Sequence, residues 1–285
     1  MKLSVITACR NSVNTIRETI DSVRSQSYPD IEHIICDGAS TDGTIEAVES
    51  YNGMVKLIYG PDKGIYDAMN KGIRAATGDV IAILNSEDFY TNNQVIQKVV
   101  DKFQEHDADA VYGDLFYVDS DDTNKVIRYW KTGRFTQHKF LDGWMMPHPA
   151  LFMKKQLYER YGYYRDEFQI SGDYEMILRV FMRNPLVVRY VEEVLVKMRM
   201  GGASNNSILS RFIANKEDRL AWKINNLVPH PLTLIFKPLR KIGQFFWKTP
   251  TPVVEVNKKF TPPSEDDKVK TNQPAKLEPV TENAR

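Results

Sequence analysis

The 285 residues carry 38 lysines and arginines against 37 aspartates and glutamates, a formal net charge of +1, so no global field recommends nucleic acid as a partner. The length supports a sizeable core in one large domain or two smaller ones. Apolar runs fall short of the ~18 residues expected of a spanning helix, which excludes an integral membrane protein, and the first apolar stretch, interrupted at Arg10, is too short for a signal-peptide core of roughly 7–15 residues.

Residues 2–8 read as a first strand, and Ile16, Ile20 and Val23 mark a helix entered through Asn14, a good N-cap residue. A second strand over 31–36 ends at Asp37, and the loop GASTDG leads into a helix over 44–51. The two cysteines, Cys9 and Cys36, sit at strand ends and are expected to pack as small apolar side chains, which suits a reducing cytoplasm. A third strand over 55–59 is broken by Gly60-Pro61. Strands alternating with helices imply an α/β fold with a doubly wound, mainly parallel sheet.

The stretch 60–88 is the most informative. Ile65, Ala68, Met69, Gly72, Ile73 and Ala76 recur at helical spacing, with Lys71 and Arg74 on the solvated face, and 80–84 is a continuous apolar run of strand length. The polar turn Asn85-Ser86-Glu87-Asp88 follows directly. In open α/β sheets ligands lie beyond the carboxyl ends of the strands. Two adjacent acids placed there can hold a divalent cation through hard oxygen ligands, and the cation can hold a diphosphate. An isolated acidic pair would read better as a solvated turn capping the next helix; the surrounding pattern favours a nucleotide-sugar site.

A helix over 95–105 and a strand over 110–112 continue the alternation, after which the chain loosens into aromatic-rich loops, with helices over 154–161 and 174–182. A strand over 187–196, a glycine-containing loop over 199–206 that could close as a lid or be an ordinary connection, and a helix over 208–225 follow. The expected organisation is a nucleotide-sugar-binding half over 1–113, an acceptor-side half of the same domain over 114–225, an amphipathic segment over 226–248 and a disordered tail over 249–285. That tail is rich in Pro, Lys, Glu and Thr and cannot offset its ordering entropy by burial. The amphipathic segment sets Leu232, Leu234, Ile235, Phe236, Leu239, Ile242, Phe245, Phe246 and Trp247 among Lys237, Arg240, Lys241 and Lys248. This composition suits an anionic membrane surface, against the rival of a helix covering the core or an oligomer interface.

The motifs VITACRN, IICDGASTDGT, GPDKGIYDAMNKGIRAATGD, LNSED, MPHPALF and SGDYEMILR, in that order, resemble the inverting glycosyltransferases of family 2, which have the GT-A fold, over roughly residues 1–225. The resemblance implies that Thr7 and Asn11 line the nucleotide pocket, that Asp37 accepts a hydrogen bond from the base, as uracil or thymine recognition requires, and that Asp62 and Lys63 face the nucleotide or diphosphate. It further places Glu87 near the ribose and Asp88 on a divalent metal, Mn2+ or Mg2+. Here the sequence departs from the family, which has aspartate at the position of Glu87 and often at Asn85; glutamate keeps the charge but reaches about 1.5 Å further. Asp173 matches the general base that takes the acceptor hydroxyl's proton, although Gly172-Asp173 also reads as a helix cap, and the two roles are compatible. His148, between two prolines, gains a weaker implied role as an acceptor- or phosphate-side contact.

The implied activity is transfer of one sugar from a nucleotide diphosphate donor, UDP-linked, to a glycan or lipid-linked glycan acceptor, by an enzyme peripheral on the cytoplasmic face of a membrane. The lack of spanning helices and of a Q-x-x-R-W motif argues against a processive synthase. A sugar nucleotidylyltransferase would need a glycine-rich, arginine-containing loop where this chain has TACRN. A catalytically idle nucleotide-sugar binding module stays open, with Glu87 as its one hint. Oligomeric state is not legible.

Overall fold

A computed structural model of the chain describes residues 1–51, 53–201 and 208–230, together with residues 233, 237 and 244. All of them fall within the compact unit Met1–Pro250. Strand β1 (Leu3–Cys9) is buried along all seven residues, because its alternate side chains enter two different cores. Leu3 and Val5 join Val80, Ala82, Val99 and Phe103 on one face, and Ile6 and Ala8 join Met69, Ile73, Ile81 and Ile83 on the other. A strand buried on both faces loses hydrophobic alternation and becomes a continuous apolar run, as 80–84 is.

Strands β2 (Ile31–Asp37), β3 (Lys56–Tyr59) and β4 (Val80–Ile83) flank β1 in the parallel order β3-β2-β1-β4, with helices α1 (Ile16–Arg24), α2 (Thr44–Glu49) and α3 (Ile65–Ala75) as connections. Gly72 lets α3 sit close on the sheet, since a Cβ there would lie 3.0 Å from Cys36 Sγ and strike Ile6. Beyond β4 the sheet turns mixed. The order β4-β8-β6-β9-β5 joins β8 (Leu151–Lys154), β6 (Ala110–Val118), β9 (Val188–Arg199) and β5 (Asp88–Tyr90), and β7 (Val126–Trp130) pairs with β6. Helices α4 (Val95–His106), α5 (Lys155–Tyr161), α6 (Gly172–Phe181) and α7 (Ile208–Ile224) complete the described α-helices, and two 3-10 turns span Gln137–Asp142 and His148–Ala150.

Several boundaries differ from the sequence expectation. Strand β6 runs to Val118, straight through the 113/114 division, so the two halves share one sheet. Strand β9 runs to Arg199, because residues 194–199 pair with 114–118 of β6. Strands β5, β7 and β8 were not expected; β5 is three residues long and is stabilised by pairing with β9, over a hundred positions away.

Within the 226–248 segment Val228 is exposed, whereas Thr233, Lys237 and Gln244 make contacts with the folded unit. Thr233 is buried with its hydroxyl on the Leu141 carbonyl, Lys237 Nζ lies 2.6 Å from Asp218 Oδ2 and 3.4 Å from the Tyr174 ring centroid, and the Gln244 carbonyl accepts the Tyr129 N–H at 3.1 Å. Lys237, expected to face anionic head groups, is instead an internal ion pair. The remainder of that segment, the glycine loop beyond Gly201 and the 249–285 tail lie outside the described residues. Among the described residues no helix is long and apolar enough to cross a membrane.

Candidate active site

Three loops leave the carboxyl ends of the adjacent parallel strands β2, β1 and β4, and side chains tie them together. Asn11, at φ +52°, donates its backbone N–H to Ser40 Oγ at 2.7 Å and accepts the Thr41 N–H at 2.9 Å. Ser12 N–H reaches Thr44 Oγ1 at 2.8 Å, and its hydroxyl meets Ser86 Oγ at 2.9 Å. A turn of this kind favours Asn, which tolerates positive φ.

Asp37 is 1% exposed, with Oδ1 accepting the Ser40 N–H at 2.8 Å and Oδ2 accepting the Ser40 hydroxyl at 2.6 Å and the Cys9 thiol at 3.3 Å. The carboxylate thus fixes the loop after β2 rather than facing an open pocket. Thr7 requires a correction. It is fully buried in mid-strand with its hydroxyl 3.0 Å from His33 Nε2, so it supports the sheet and lines no pocket; the residue that reaches the strand end is Cys9. Both cysteines are buried and free, as expected.

Asp62 lies against the same loop, since a Cβ on Gly38 would approach its Oδ2 to 2.7 Å. Its other oxygen pairs with Lys71, which also bonds Asp67 Oδ2 at 3.1 Å and the Pro61 carbonyl at 2.8 Å. The hydrogen bond that Lys71 donates to Asp62 holds its ammonium above the usual range. Lys71 is therefore not simply a solvated side chain. Lys63 is exposed, with Asp166 3.8 Å away.

At the end of β4, Asn85 and Asp88 face one another. Asp88 N–H donates to the Asn85 carbonyl at 3.0 Å, and Asn85 Nδ2 reaches Asp88 Oδ2 at 3.3 Å. Asp88 is 1% exposed, and burial pushes its carboxyl up to about 8, with Glu87 adding to the rise and the Asn85 hydrogen bond and Arg199 opposing it. Asn85 Oδ1 is buried with no hydrogen-bond partner. An orphaned amide oxygen beside a desolvated carboxylate offers hard oxygen donors, which fit a divalent cation such as Mn2+ or Mg2+. Glu87 is half-buried; its carbonyl accepts Arg199 Nη1 at 2.9 Å while Nη2 pairs with Glu18.

Strand register carries Asp88 toward the acceptor half. Asp88 pairs with Met198, Met198 with Tyr117, and Tyr117 with Arg128, one row across four strands. Directly opposed residues share a face, and the Arg128 guanidinium lies 3.7 Å from the Tyr117 ring centroid. Burial raises the Tyr117 hydroxyl above its usual range, Arg128 counters this, and Asp88 and Asp173 both add to the rise.

Asp173 occupies the first turn of α6, where its Oδ1 accepts the Tyr174 N–H at 2.8 Å and faces the Tyr66 hydroxyl at 3.5 Å. Helix α3 grips the approach to Asp173 along a stripe spaced by four. Tyr66 hydroxyl donates to the Ile170 carbonyl at 2.7 Å, Asn70 exchanges two hydrogen bonds with the Tyr164 backbone at 2.8 and 3.0 Å, and Arg74 lies 4.7 Å from the Tyr163 ring centroid. His148 is buried against Tyr164, with Nε2 2.6 Å from the tyrosine hydroxyl. Burial lowers its pKa while Asp173's charge opposes the shift. It braces the interior behind Asp173, and the expected contact with acceptor or phosphate is not what its placement gives.

Tyr66, Asn70, Tyr117, Arg128 and Arg199 were not singled out from sequence. The 66/70/74 spacing was visible but reads as an ordinary helix face; the others depend on strand register or contacts far along the chain.

The sequence model described as Glycosyl transferase family 2 matches residues 4–162. A Mycobacterium bovis protein named PGL/p-HBAD biosynthesis glycosyltransferase is 27% identical over 213 residues, covering 73% of this chain and 80% of its own. An uncharacterized glycosyltransferase of Mycobacterium tuberculosis is 33% identical over 193 residues, covering 66% and 72%. Among solved structures, S. aureus TarS 1-349 in complex with UDP-GlcNAc aligns with a TM-score of 0.61 at 16% identity, over 79% of this chain and 65% of that one. Mannosyltransferase PcManGT from Pyrobaculum calidifontis in complex with GDP-Man and Mn2+ gives 0.58 at 19% identity, over 83% and 68%. This chain thus spans just under two thirds of the TarS fragment. The matched stretch runs from β1 through the Asn85–Asp88 turn to α5, and the sheet built on it is that of GT-A enzymes: the chain belongs to glycosyltransferase family 2 and is a glycosyltransferase.

Proposed function

We propose that this enzyme moves one sugar from a UDP-linked donor to a glycan acceptor by a single inverting displacement, with Asp173 as general base. The observation that carries the reading is the set of three loops tied together at the carboxyl ends of β1, β2 and β4, with Asp88 buried beside Asn85 at the end of β4 and Asp173 in the first turn of α6. Nucleotide complexes of two structural neighbours, UDP-GlcNAc in one and GDP-Man with Mn2+ in the other, support a nucleotide diphosphate donor and a divalent cation.

In this reading the Asn11, Asp37–Ser40 and Asp62 loops receive the nucleotide, with Lys63 exposed beside them and Glu87 toward the ribose. Asp88 and Asn85 Oδ1 would hold the cation. When bound, a divalent cation supplies positive charge against the diphosphate. The acceptor hydroxyl attacks the anomeric carbon from the face opposite the diphosphate, a C–O bond forms as the bond to the phosphate oxygen breaks, and the electron pair leaves with the nucleotide. Asp173 takes the hydroxyl proton. One displacement inverts the anomeric centre and needs no enzyme nucleophile.

We extend the proposal to a lipid-linked acceptor met at the cytoplasmic face of a membrane; with Lys237 paired internally, that contact would rest on other residues of 226–248. The test of the central role is Asp173→Asn. It should cut transfer by about 10²–10⁴-fold, the usual contribution of a general base, and leave calorimetric UDP affinity unchanged. If UDP binding collapses together with transfer, Asp173 is a cap or donor ligand and the base lies elsewhere.

A further inference from the structure

The segment that delivers Asp173 is held by a carboxylate from a distant helix. Glu217, on α7, is 8% exposed, and its two oxygens accept three consecutive backbone N–H groups: Gln169 on Oε1 at 2.8 Å, and Ile170 and Ser171 on Oε2 at 2.9 and 2.7 Å. The next N–H, of Gly172, donates to the Tyr66 hydroxyl at 2.9 Å, and that hydroxyl donates in turn to the Ile170 carbonyl. Four successive N–H groups leading to Asp173 are therefore satisfied by two side chains, one from α3 and one from α7. Ser171 Oγ adds a bond to the Ala214 carbonyl of α7 at 3.3 Å. An ionised carboxylate is suited to this task because it is acceptor-only and has about four lone-pair sites.

We propose that Glu217 is a positioning residue for transfer: it fixes the 169–172 backbone so that the Asp173 carboxylate is held where the acceptor hydroxyl is deprotonated, and it makes α7 part of the catalytic apparatus. The inference rests on Asp173 being the base. Glu217 lies beyond the family-matched stretch of 4–162, and none of its three N–H contacts is closer than 46 positions in sequence. Tyr66 holds the same turn from the opposite side. Its hydroxyl faces Asp173 and feels the charge of both Asp173 and Glu217. General-base efficiency depends on sub-ångström placement, and a displacement of about 1 Å can cost roughly 10²-fold in rate.

The substitution Glu217→Gln keeps the shape but replaces one acceptor oxygen with an NH2 group that cannot accept, so at least one loop N–H loses its partner. The full-length enzyme is assayed by hydrolysis of UDP-glucose, UDP-galactose and UDP-N-acetylglucosamine with Mn2+, following whichever is turned over fastest, with UDP binding measured by calorimetry. Glu217→Gln is expected to lower kcat about tenfold or more, with UDP affinity changed less than twofold. In an Asp173→Asn background it should change the residual rate less than twofold, because residues acting as one unit are not additive. Tyr66→Phe, which keeps the ring and removes the hydroxyl, should show the same pattern and serves if Glu217→Gln does not fold. Equal losses in both backgrounds, or UDP affinity falling in step with kcat, would overturn the proposal and leave Asp173 as the base. An Asp173→Asn enzyme with full activity would overturn both.

Discussion

Gly172→Ala sets two effects of opposite sign against each other. Gly172 opens α6 without a positive φ, so alanine meets no backbone strain, and helix propensity alone would favour the variant by up to about 1 kcal/mol. The new Cβ, however, would lie 2.7 Å from Tyr66 Cε2 and 2.8 Å from Cζ, and the ring must move until that contact opens to about 3.4 Å. The ring is buried, and its hydroxyl bonds at 2.7 and 2.9 Å to Ile170 and Gly172 break if it retreats. Overpacking costs about 1–3 kcal/mol, so the net expectation is a loss of about 1–2 kcal/mol, with transfer falling about tenfold as the turn before Asp173 shifts. Urea unfolding gives the stability and a donor-hydrolysis assay the rate. Combining Gly172→Ala with Tyr66→Leu should recover part of the stability, a coupling that exposes the contact. A variant as stable as the parent or more so, with unchanged kcat, would show that propensity alone governs the position and that Tyr66 does not press on Gly172.

Asp88→Asn should leave the thermal midpoint unchanged, because a neutral amide suits a buried site, while abolishing the manganese dependence of donor turnover; a manganese titration that superimposes on the parent's would remove Asp88 from the cation site. His33 is buried, and burial drops its pKa from 6.5 to about 3. The unfolded chain accepts a proton that the native state refuses, so stability is fully present above pH 6.5 and declines as the pH falls toward 3. The loss by pH 5 is about 2 kcal/mol. Urea midpoints at pH 7.5 and 5.0 should draw closer together in His33→Gln, and an unchanged gap would contradict this. Lys237→Ala strands the Asp218 carboxylate and uncovers Tyr174, for an expected loss of about 1–3 kcal/mol with no change in co-sedimentation with anionic vesicles. Reduced vesicle binding at unchanged stability would return Lys237 to the membrane surface.

The parallel half of the sheet was legible because its strands are continuous apolar runs and its helices present one apolar face, signals that survive without tertiary information. Asn11 is reached through the family resemblance alone, since its positive φ and its bonds to Ser40 and Thr41, 29 and 30 positions away, leave no local mark. The role that the resemblance implies for Thr7 fails because Thr7 lies inside the strand, as the 2–8 reading already has it, two residues short of the strand-end Cys9. The metal-facing role that the resemblance implies for Asp88 is compatible with the turn after β4, but nothing local shows that Asp88 opens β5, whose pairing partner Met198 follows 110 residues later. Glu217 gave no local signal, since an acid within the charged run Lys216-Glu217-Asp218-Arg219 of a helix reads as solvated until the turn it caps is folded against it.

The most direct test of the whole account is real-time NMR of the sugar released when the enzyme hydrolyses an α-linked UDP-sugar in the presence of Mn2+. Inverting displacement with Asp173 as base predicts that the β-anomer appears first, before mutarotation, and that Asp173→Asn suppresses its formation while still binding UDP. First appearance of the α-anomer, or a nucleotide bound by a protein that turns over no member of the UDP-sugar panel, would contradict it.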